Sequence, residues 1–324
     1  MGSQMLKKIA IIGDGVAGRT LARVLKEAKF DVELFGRKHH NACGIRPCGW
    51  GTSGSCIRLL ARLIRYPVVL RHDYFVLLDG RRIRGDLFSI DKPKLLQALY
   101  SDVRYDEPDI NNCDLLVDAT GLSRSLLPLA DDDKQARNYQ YRVRTGMPLY
   151  PSFTLVRGGY LWTIPLGEIE AHIGGGSTEL PNGEIKRLVQ ERVQQYRGEV
   201  ICGCYEPIRL SGLLAPALSH RLVGVGESVG TVVPLGGGGI HPSIEGALIL
   251  AKHIVKGSLE GYTRAMRAKF GWLRRSRGII EGLPEVSLLS LPLAYRALRY
   301  QGLRPTTGDL IYIRRKLMEA NRQC

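Results

Sequence analysis

The strongest constraint on this chain is the run IAIIGDGVAG at positions 9–18. Its first four residues are apolar, as a strand buried on both faces requires. Glycines then follow in the order G-x-G-x-x-G, at Gly13, Gly15 and Gly18. Gly13 permits a tight turn, Gly15 keeps side-chain atoms off a pyrophosphate, and Gly18 lets the next helix pack against the strand. Leu21, Val24, Leu25 and Ala28 recur at helical spacing across positions 19–29, and positions 30–35 read as a second strand. Strand, glycine turn, helix and strand at these distances specify the dinucleotide-binding half of a parallel sheet, with the helix N-terminus facing phosphate. Gly13, Gly15, Val16, Ala17 and Gly18 are therefore cofactor-binding candidates.

An acid that holds ribose hydroxyls normally follows the second strand. Here the strand ends in Phe35-Gly36-Arg37-Lys38. Arg37 and Lys38 suit a phosphate, as in NADP sites, and Arg37 also suits the adenine face. Phe35, Gly36 and Arg37 are candidates for this end by position, and the first motif alone leaves FAD, NAD and NADP open.

Composition narrows the class. A chain of 324 residues, 44% hydrophobic and 24% charged, is globular. Its length suits about two domains. No apolar run approaches the roughly 20 residues of a membrane span. Lys7 and Lys8 lead directly into a strand pattern without a secretory signal, so a cytoplasmic location is the expectation. Cysteine spacings such as Cys43/Cys48 and Cys202/Cys204 match no structural zinc pattern. No metal is expected, and the thiols are read as mostly free in a reducing compartment. A net charge of +15 favours phosphate, an anionic membrane surface or an acidic redox partner. Nucleic acid is disfavoured, because the basic stretches lack interleaved aromatics or a recognisable module.

Two later stretches choose among the cofactors. DLLVDATG, at 114–121, is a strand ending in Ala-Thr120-Gly121. A strand at 221–225 leads to Gly226-Glu227, Pro234, the glycines Gly236, Gly237, Gly238 and Gly239, then Ile240 and a helix from His241-Pro242. A polar turn, a glycine loop and a helix N-terminus form a place for anionic ligand atoms.

Taken in order, these motifs resemble the FAD-dependent group that includes aromatic hydroxylases and, more closely, the geranylgeranyl reductases. GIRPCGWGTS, at 44–53, is similar to that family's cysteine-containing loop. Tyr160, Trp162 and Pro165 match its Y-x-W-x-F-P segment, with Ile164 in place of Phe. LFSIDKPKLLQAL, at 87–99, resembles its V-D-R strand and helix, with Lys92 in place of Arg. The likeness covers about residues 8–255.

The resemblance implies an α/β fold with a Rossmann-like FAD-binding domain from residues 5–66, 94–130 and 212–262. A second, β-sheet substrate domain would use 67–93 and 131–211, and 263–324 would form a helical C-terminal region. Little sequence separates the Leu95 helix from the Asp114 strand, so the family's β-hairpin layer there is expected to be trimmed. Glu227, where Asp is usual, would meet the ribityl or pyrophosphate region. The glycine loop would lie on the flavin ring, and Arg46, Cys48 and Gly49 beside its reacting face. The implied reaction is reduction of an isoprenoid double bond on a lipid, by hydride from flavin N5.

Catalytic candidates are Cys48 as proton source, Tyr160 and Trp162 as pocket walls, and His241 as a donor to the flavin. Each also has a purely structural reading, as buried thiol, sheet packing or helix start. Cys43 is a candidate disulfide partner of Cys48. Cys202 and Cys204 share one face of an extended run, for packing or redox work. No second G-x-G-x-x-G follows a strand, so electrons would come from transiently bound NAD(P)H or from a protein donor such as ferredoxin. The basic C-terminal stretches, after the apolar VSLLSLPLAY, form either a lipid-facing rim or a packed helical cap. Two rival functions remain at this level: a flavin monooxygenase acting on an apolar substrate, and a non-catalytic flavin- or nucleotide-binding protein that docks to a membrane or partner.

Overall fold

The computed structural model describes residues 8–40, 48–66, 68–219, 221–279 and 290–322. In chain order its first elements are β1 (Lys8–Ile12), α1 (Val16–Glu27), β2 (Asp31–Phe35), β3 (Gly51–Ser53), α2 (Gly54–Leu60), β4 (Val69–Leu78), β5 (Arg81–Ile90), α3 (Lys92–Leu99) and β6 (Leu115–Asp118). There follow β7 (Gln135–Arg144), β8 (Ser152–Val156), β9 (Gly159–Pro165), β10 (Glu170–Ser177), α4 (Asn182–Gln195), β11 (Glu199–Tyr205), β12 (Ile208–Arg209) and β13 (Leu222–Gly224). The chain closes with α5 (Ile240–Val255), α6 (Tyr262–Ser276), α7 (Leu291–Tyr300) and α8 (Thr307–Arg322).

Two sheets result. The first is parallel, in the order β13-β6-β1-β2. Its strands are mostly apolar: Ile9, Ile11, Val32, Leu34, Leu115 and Val117 face the main core, while Ala10 and Phe35 form a small cluster of their own with Cys113. Leu21 and Leu25 of α1, Val117, Val223, Leu250 of α5 and Phe270 of α6 join one core. Gly13 has a φ of +114°, and a Cβ there would collide with the Ala119 carbonyl of β6. At Gly18 a Cβ would collide with the Gly13 carbonyl. Both glycines are thus fixed by close backbone approach. The glycine turn itself becomes helix: α1 begins at Val16 rather than near Arg19, because Arg19 N–H already donates to Gly15 O at 3.0 Å.

The second sheet runs β11-β7-β10-β9-β8-β4-β5-β3, with β12 paired to β7. Neighbours are antiparallel except β4 and β8. Helix α4 is pinned to it by the buried Arg192, which donates to Thr163 Oγ1, Thr154 Oγ1 and Ser152 Oγ at 3.0, 2.8 and 2.7 Å. Between α3 and β6 the described chain holds only a 3₁₀ turn at Ile110–Asn112, in keeping with a trimmed layer.

One side chain ties the two sheets together. Arg209, in β12 and only 1% exposed, donates to the carbonyls of Gly121, Leu122 and Glu227 at 3.0, 2.8 and 2.8 Å. It also pairs with both oxygens of Asp133, at 2.8 and 2.9 Å. Burial alone would raise the Asp133 pKa, but hydrogen bonds from Arg209 and Ser211 hold it below the ordinary value. Removing the cation strands a partly buried carboxylate and three carbonyls, so Arg209→Met should cost about 3 kcal/mol. Urea unfolding checks this: an unchanged midpoint would show that the clasp is dispensable.

Candidate cofactor cleft

A cleft of about 1750 Å³ is lined from both sheets. At one end stand Gly13, Gly15, Val16 and Ala17, with Phe35, Gly36 and Arg37 on one side and Thr120 and Gly121 on the other. Gly15 caps α1, and a Cβ on it would meet no atom within 4 Å. The helix N-terminus therefore opens directly onto the cleft, with its unpaired N–H groups and positive dipole end. Thr120 and Gly121 are placed by Asp118, fully buried at the end of β6. Its carboxylate accepts from Thr120 N and Oγ1 at 3.0 and 2.7 Å, and from Leu126 N and Leu127 N at 3.0 Å each.

Further along the cleft lie Glu227, Gly236, Gly237, Gly238, Gly239, Ile240 and His241, the last two opening α5. Cys48 and Gly49 line the facing wall, with Tyr160 and Trp162 of β9 beyond them. The Tyr160 and Trp162 rings are 5.8 Å apart. Gly237 has a φ of +63°, and a Cβ there would come 2.8 Å from the Tyr160 hydroxyl. The glycine loop thus runs against the aromatic wall with no room for a side chain.

The Cys48-Gly49-Trp50 segment is locked by two side chains that the sequence reading did not single out. Gln140 Nε2 donates to Cys48 O at 3.2 Å. His172 Nδ1 donates to Gly49 O at 3.2 Å, and its ring meets Trp50 edge-on at 4.7 Å. Burial pushes the His172 pKa down to about 4, so the ring is neutral at neutral pH. Trp50 itself has a φ of +62°, rare for a bulky residue and a sign that this loop is held rather than relaxed.

His241 sits 3.4 Å from Ser53 Oγ through Nδ1 and stacks on Tyr300 at 4.6 Å. Burial lowers its pKa as well. The Tyr300 hydroxyl donates to Glu245, which also accepts from Lys269 Nζ at 2.6 Å. Burial pushes the Tyr160 and Tyr300 phenols well above their ordinary range. The side chains around the glycine loop are therefore mostly neutral donors.

The remaining candidates fall elsewhere. Gly18, Gly226 and Pro234 do not line the cleft. Gly18 packs under the first turn, and a Cβ on Gly226 would come 2.6 Å from Ala17 Cβ, so both shape the wall from behind. Arg46 and Cys43 lie outside the described residues. Cys204 reaches the cleft from β11, whereas Cys56 is buried in α2 with its thiol pushed up to about 12 by burial.

The residues present fit an FAD. Two buried polar atoms on cleft-lining residues, Trp162 Nε1 and Ser89 Oγ, have no partner within the protein. Such orphans are costly unless a ligand or water meets them. The open volume at Gly15 and the glycine loop beneath Tyr160 are places that side chains would otherwise fill.

No family model matches the chain. Digeranylgeranylglycerophospholipid reductase 2 of Methanothermobacter thermautotrophicus is 26% identical, over 87% of this chain and 90% of its own. A geranylgeranyl bacteriochlorophyll reductase-like protein of Thermoplasma acidophilum superposes with a TM-score of 0.71 at 16% identity, covering 96% of this chain and 99% of that one. Klebsiella pneumoniae HpxO, solved with FAD and uric acid, gives 0.61 at 13%, covering 97% and 96%. The chain is thus similar in sequence to a geranylgeranyl-lipid reductase and has the α/β fold shared by FAD-dependent reductases and hydroxylases.

Two outcomes follow from this geometry. Gly15→Val should fold normally, because its side chain enters open space, yet lose FAD affinity at least about tenfold by obstructing the approach to the helix N-terminus. Flavin titration with a parallel thermal melt checks it, and undiminished binding would remove the turn from the site. Second, His172 is neutral in the fold down to about pH 4, whereas the unfolded ring takes its proton near 6.5. Stability is full above pH 6.5 and falls as pH drops from there towards 4, by up to about 1.4 kcal/mol per pH unit. His172→Gln should flatten that slope by one proton, read from urea midpoints across the window. An identical slope in the variant would show that the ring does not titrate this way.

Proposed function

We propose that this chain is an FAD-dependent reductase of carbon–carbon double bonds in a geranylgeranyl-type isoprenoid lipid. One observation carries the reading: the cleft that holds the glycine turns also has a large apolar lining. Leu87, Phe153, Leu155, Ile208, Leu298 and Leu303 supply it together with Tyr160 and Trp162. Ligand pockets usually measure about 300–1,000 Å³. The cleft exceeds that range, which leaves space for an apolar chain beside a cofactor.

FAD, when bound and reduced, supplies a hydride to one carbon of the double bond. Gly13, Gly15, Val16 and Ala17 would hold the pyrophosphate, and Thr120, Gly121 and Glu227 the ribityl part. Gly236, Gly237, Gly238, Gly239 and Ile240 would hold the ring, where the positive end of α5 and His241 would favour its anionic reduced form. Tyr160 and Trp162 exclude water and seat the alkene. As the π bond opens, the second carbon takes a proton, which we assign to the Cys48 thiol; solvent then returns a proton to the thiolate. An isolated alkene is a poor electrophile, so a positioned acid and a dry wall are what the protein has to provide.

Electrons arrive from NAD(P)H or from a protein donor such as ferredoxin. The basic surface suits a phosphate head group or an anionic lipid surface. Structures with hydroxylase chemistry share the fold, as Peptidyl tryptophan dihydroxylase QhpG does at a TM-score of 0.59. Oxygen therefore separates the two readings.

Photoreduced holoprotein under strict anaerobiosis should be reoxidised by a geranylgeranyl lipid with appearance of the dihydro product. Cys48→Ala should bind FAD as tightly and reoxidise roughly 10²-fold more slowly. Reoxidation only with oxygen, yielding an oxygenated lipid, would overturn the reductase in favour of a monooxygenase. A normal rate in Cys48→Ala would remove that thiol from the reaction.

A further inference from the structure

Gly36 stands where an acid is expected, and its surroundings explain why no side chain is there. A Cβ on Gly36 would lie 2.6 Å from Asp14 Cγ, 2.8 Å from Asp14 Oδ2 and 2.7 Å from Val103 Cγ1. The volume that a side chain at the end of β2 would enter is thus already taken by the carboxylate of Asp14, the middle residue of the first Gly-x-Gly. Asp14 and Gly36 both line the cleft.

The carboxylate is held in place. Asp14 Oδ2 is 3.0 Å from Arg19 Nη2. Arg19 is itself anchored on the carbonyls of Asp14 at 2.8 Å, Leu96 at 3.3 Å and Tyr100. On the other side, Gly36 N–H donates to Arg104 O at 2.8 Å and fixes the strand end. Two other acids nearby are engaged: Glu33 pairs with Lys8 at 3.2 Å and with Arg104, and Asp106 Oδ1 accepts from Arg104 at 3.1 Å.

We propose that Asp14 is the ribose-binding acid of this chain, accepting the adenosine 2′- and 3′-hydroxyls in place of the acid missing at position 36. A carboxylate has about four acceptor sites. Arg19 occupies one, which leaves capacity for both hydroxyls. The two departures from the usual pattern, an acid inside the glycine turn and a glycine after β2, are then one exchange: the acid has moved across the turn, and Gly36 makes room for it. This assignment rests on the FAD reading above.

The test is flavin binding by apoprotein, read from quenching of flavin fluorescence. The ligands are FAD and its analogue lacking both adenosine ribose hydroxyls. Asp14→Ala should weaken FAD about 10–100-fold, the value of hydrogen bonds to a charged acceptor. The analogue should bind wild type and Asp14→Ala alike. Glu107→Ala, which removes another acid lining this end of the cleft, should bind FAD as wild type does. Equal FAD affinity in Asp14→Ala, an equal loss with both ligands, or a tenfold loss in Glu107→Ala would overturn the assignment. Asp14→Asn should discriminate between the ligands in the same direction, and it replaces the alanine variant should that melt early. If wild type binds neither flavin, it is the cofactor reading that fails, before Asp14 is reached.

Discussion

The Arg209 clasp is the interaction on which the cleft depends. Its guanidinium holds the carbonyls of Gly121, Leu122 and Glu227, which belong to the two loops leaving β6 and β13. Its own backbone N–H donates to Glu227 Oε1 at 2.9 Å. One residue of the second sheet therefore sets two of the first-sheet loops that border the cleft. Asp133 neutralises the cation and fixes its plane through two parallel bonds, the geometry in which an arginine is most specific. A lysine could not hold five acceptors in that arrangement. The placement of the Gly121 and Glu227 turns against the second sheet rests on this contact.

Around the glycine loop the same economy of charge recurs. His172 and His241 are both driven towards the neutral form by burial, and Tyr160 and Tyr300 towards the protonated one. The positive field there comes instead from backbone, at the N-termini of α1 and α5. Backbone dipoles are fixed by the fold and need no counter-ion, so they can act on a flavin without drawing water into the cleft. Beside His241 stands the Glu245–Lys269 pair, whose carboxylate also takes the Tyr300 hydroxyl.

What the sequence showed and hid has a physical pattern. Gly13 and Gly18 were legible because each is demanded by a clash a few residues or one strand away, and such local demands repeat in any fold of this kind. The three glycine-bearing segments do meet in one cleft, as their order implied. Gln140 and His172 were not legible. They act on Cys48 and Gly49 across 92 and 123 residues of chain, and nothing about a glutamine or histidine in a strand announces such a partner. His172 had one faint signal, its place inside the segment after Tyr160 and Trp162. Gly36 was read by position as a missing acid, whereas the structure shows a glycine kept small by the neighbouring Asp14.

The C-terminal region shows the same limit most plainly. Sequence left it as a basic rim or a packed cap, two surface roles. In the structure it builds part of the cleft. Ala294, Ala297 and Leu298 bury α7 in the main core, and Leu298, Tyr300, Gln301 and Leu303 reach the cleft wall. The segment after α7 is stitched to β5 by backbone bonds, Asp86 N to Gly302 O and Arg304 N to Arg84 O, both 2.8 Å. Helix α8 adds Arg81 to Asp309 at 2.5 Å and Tyr312 to Asp79 O at 2.9 Å. The apolar lining of the cleft is therefore made jointly by β5, β8, β9, α7 and the segment after α7.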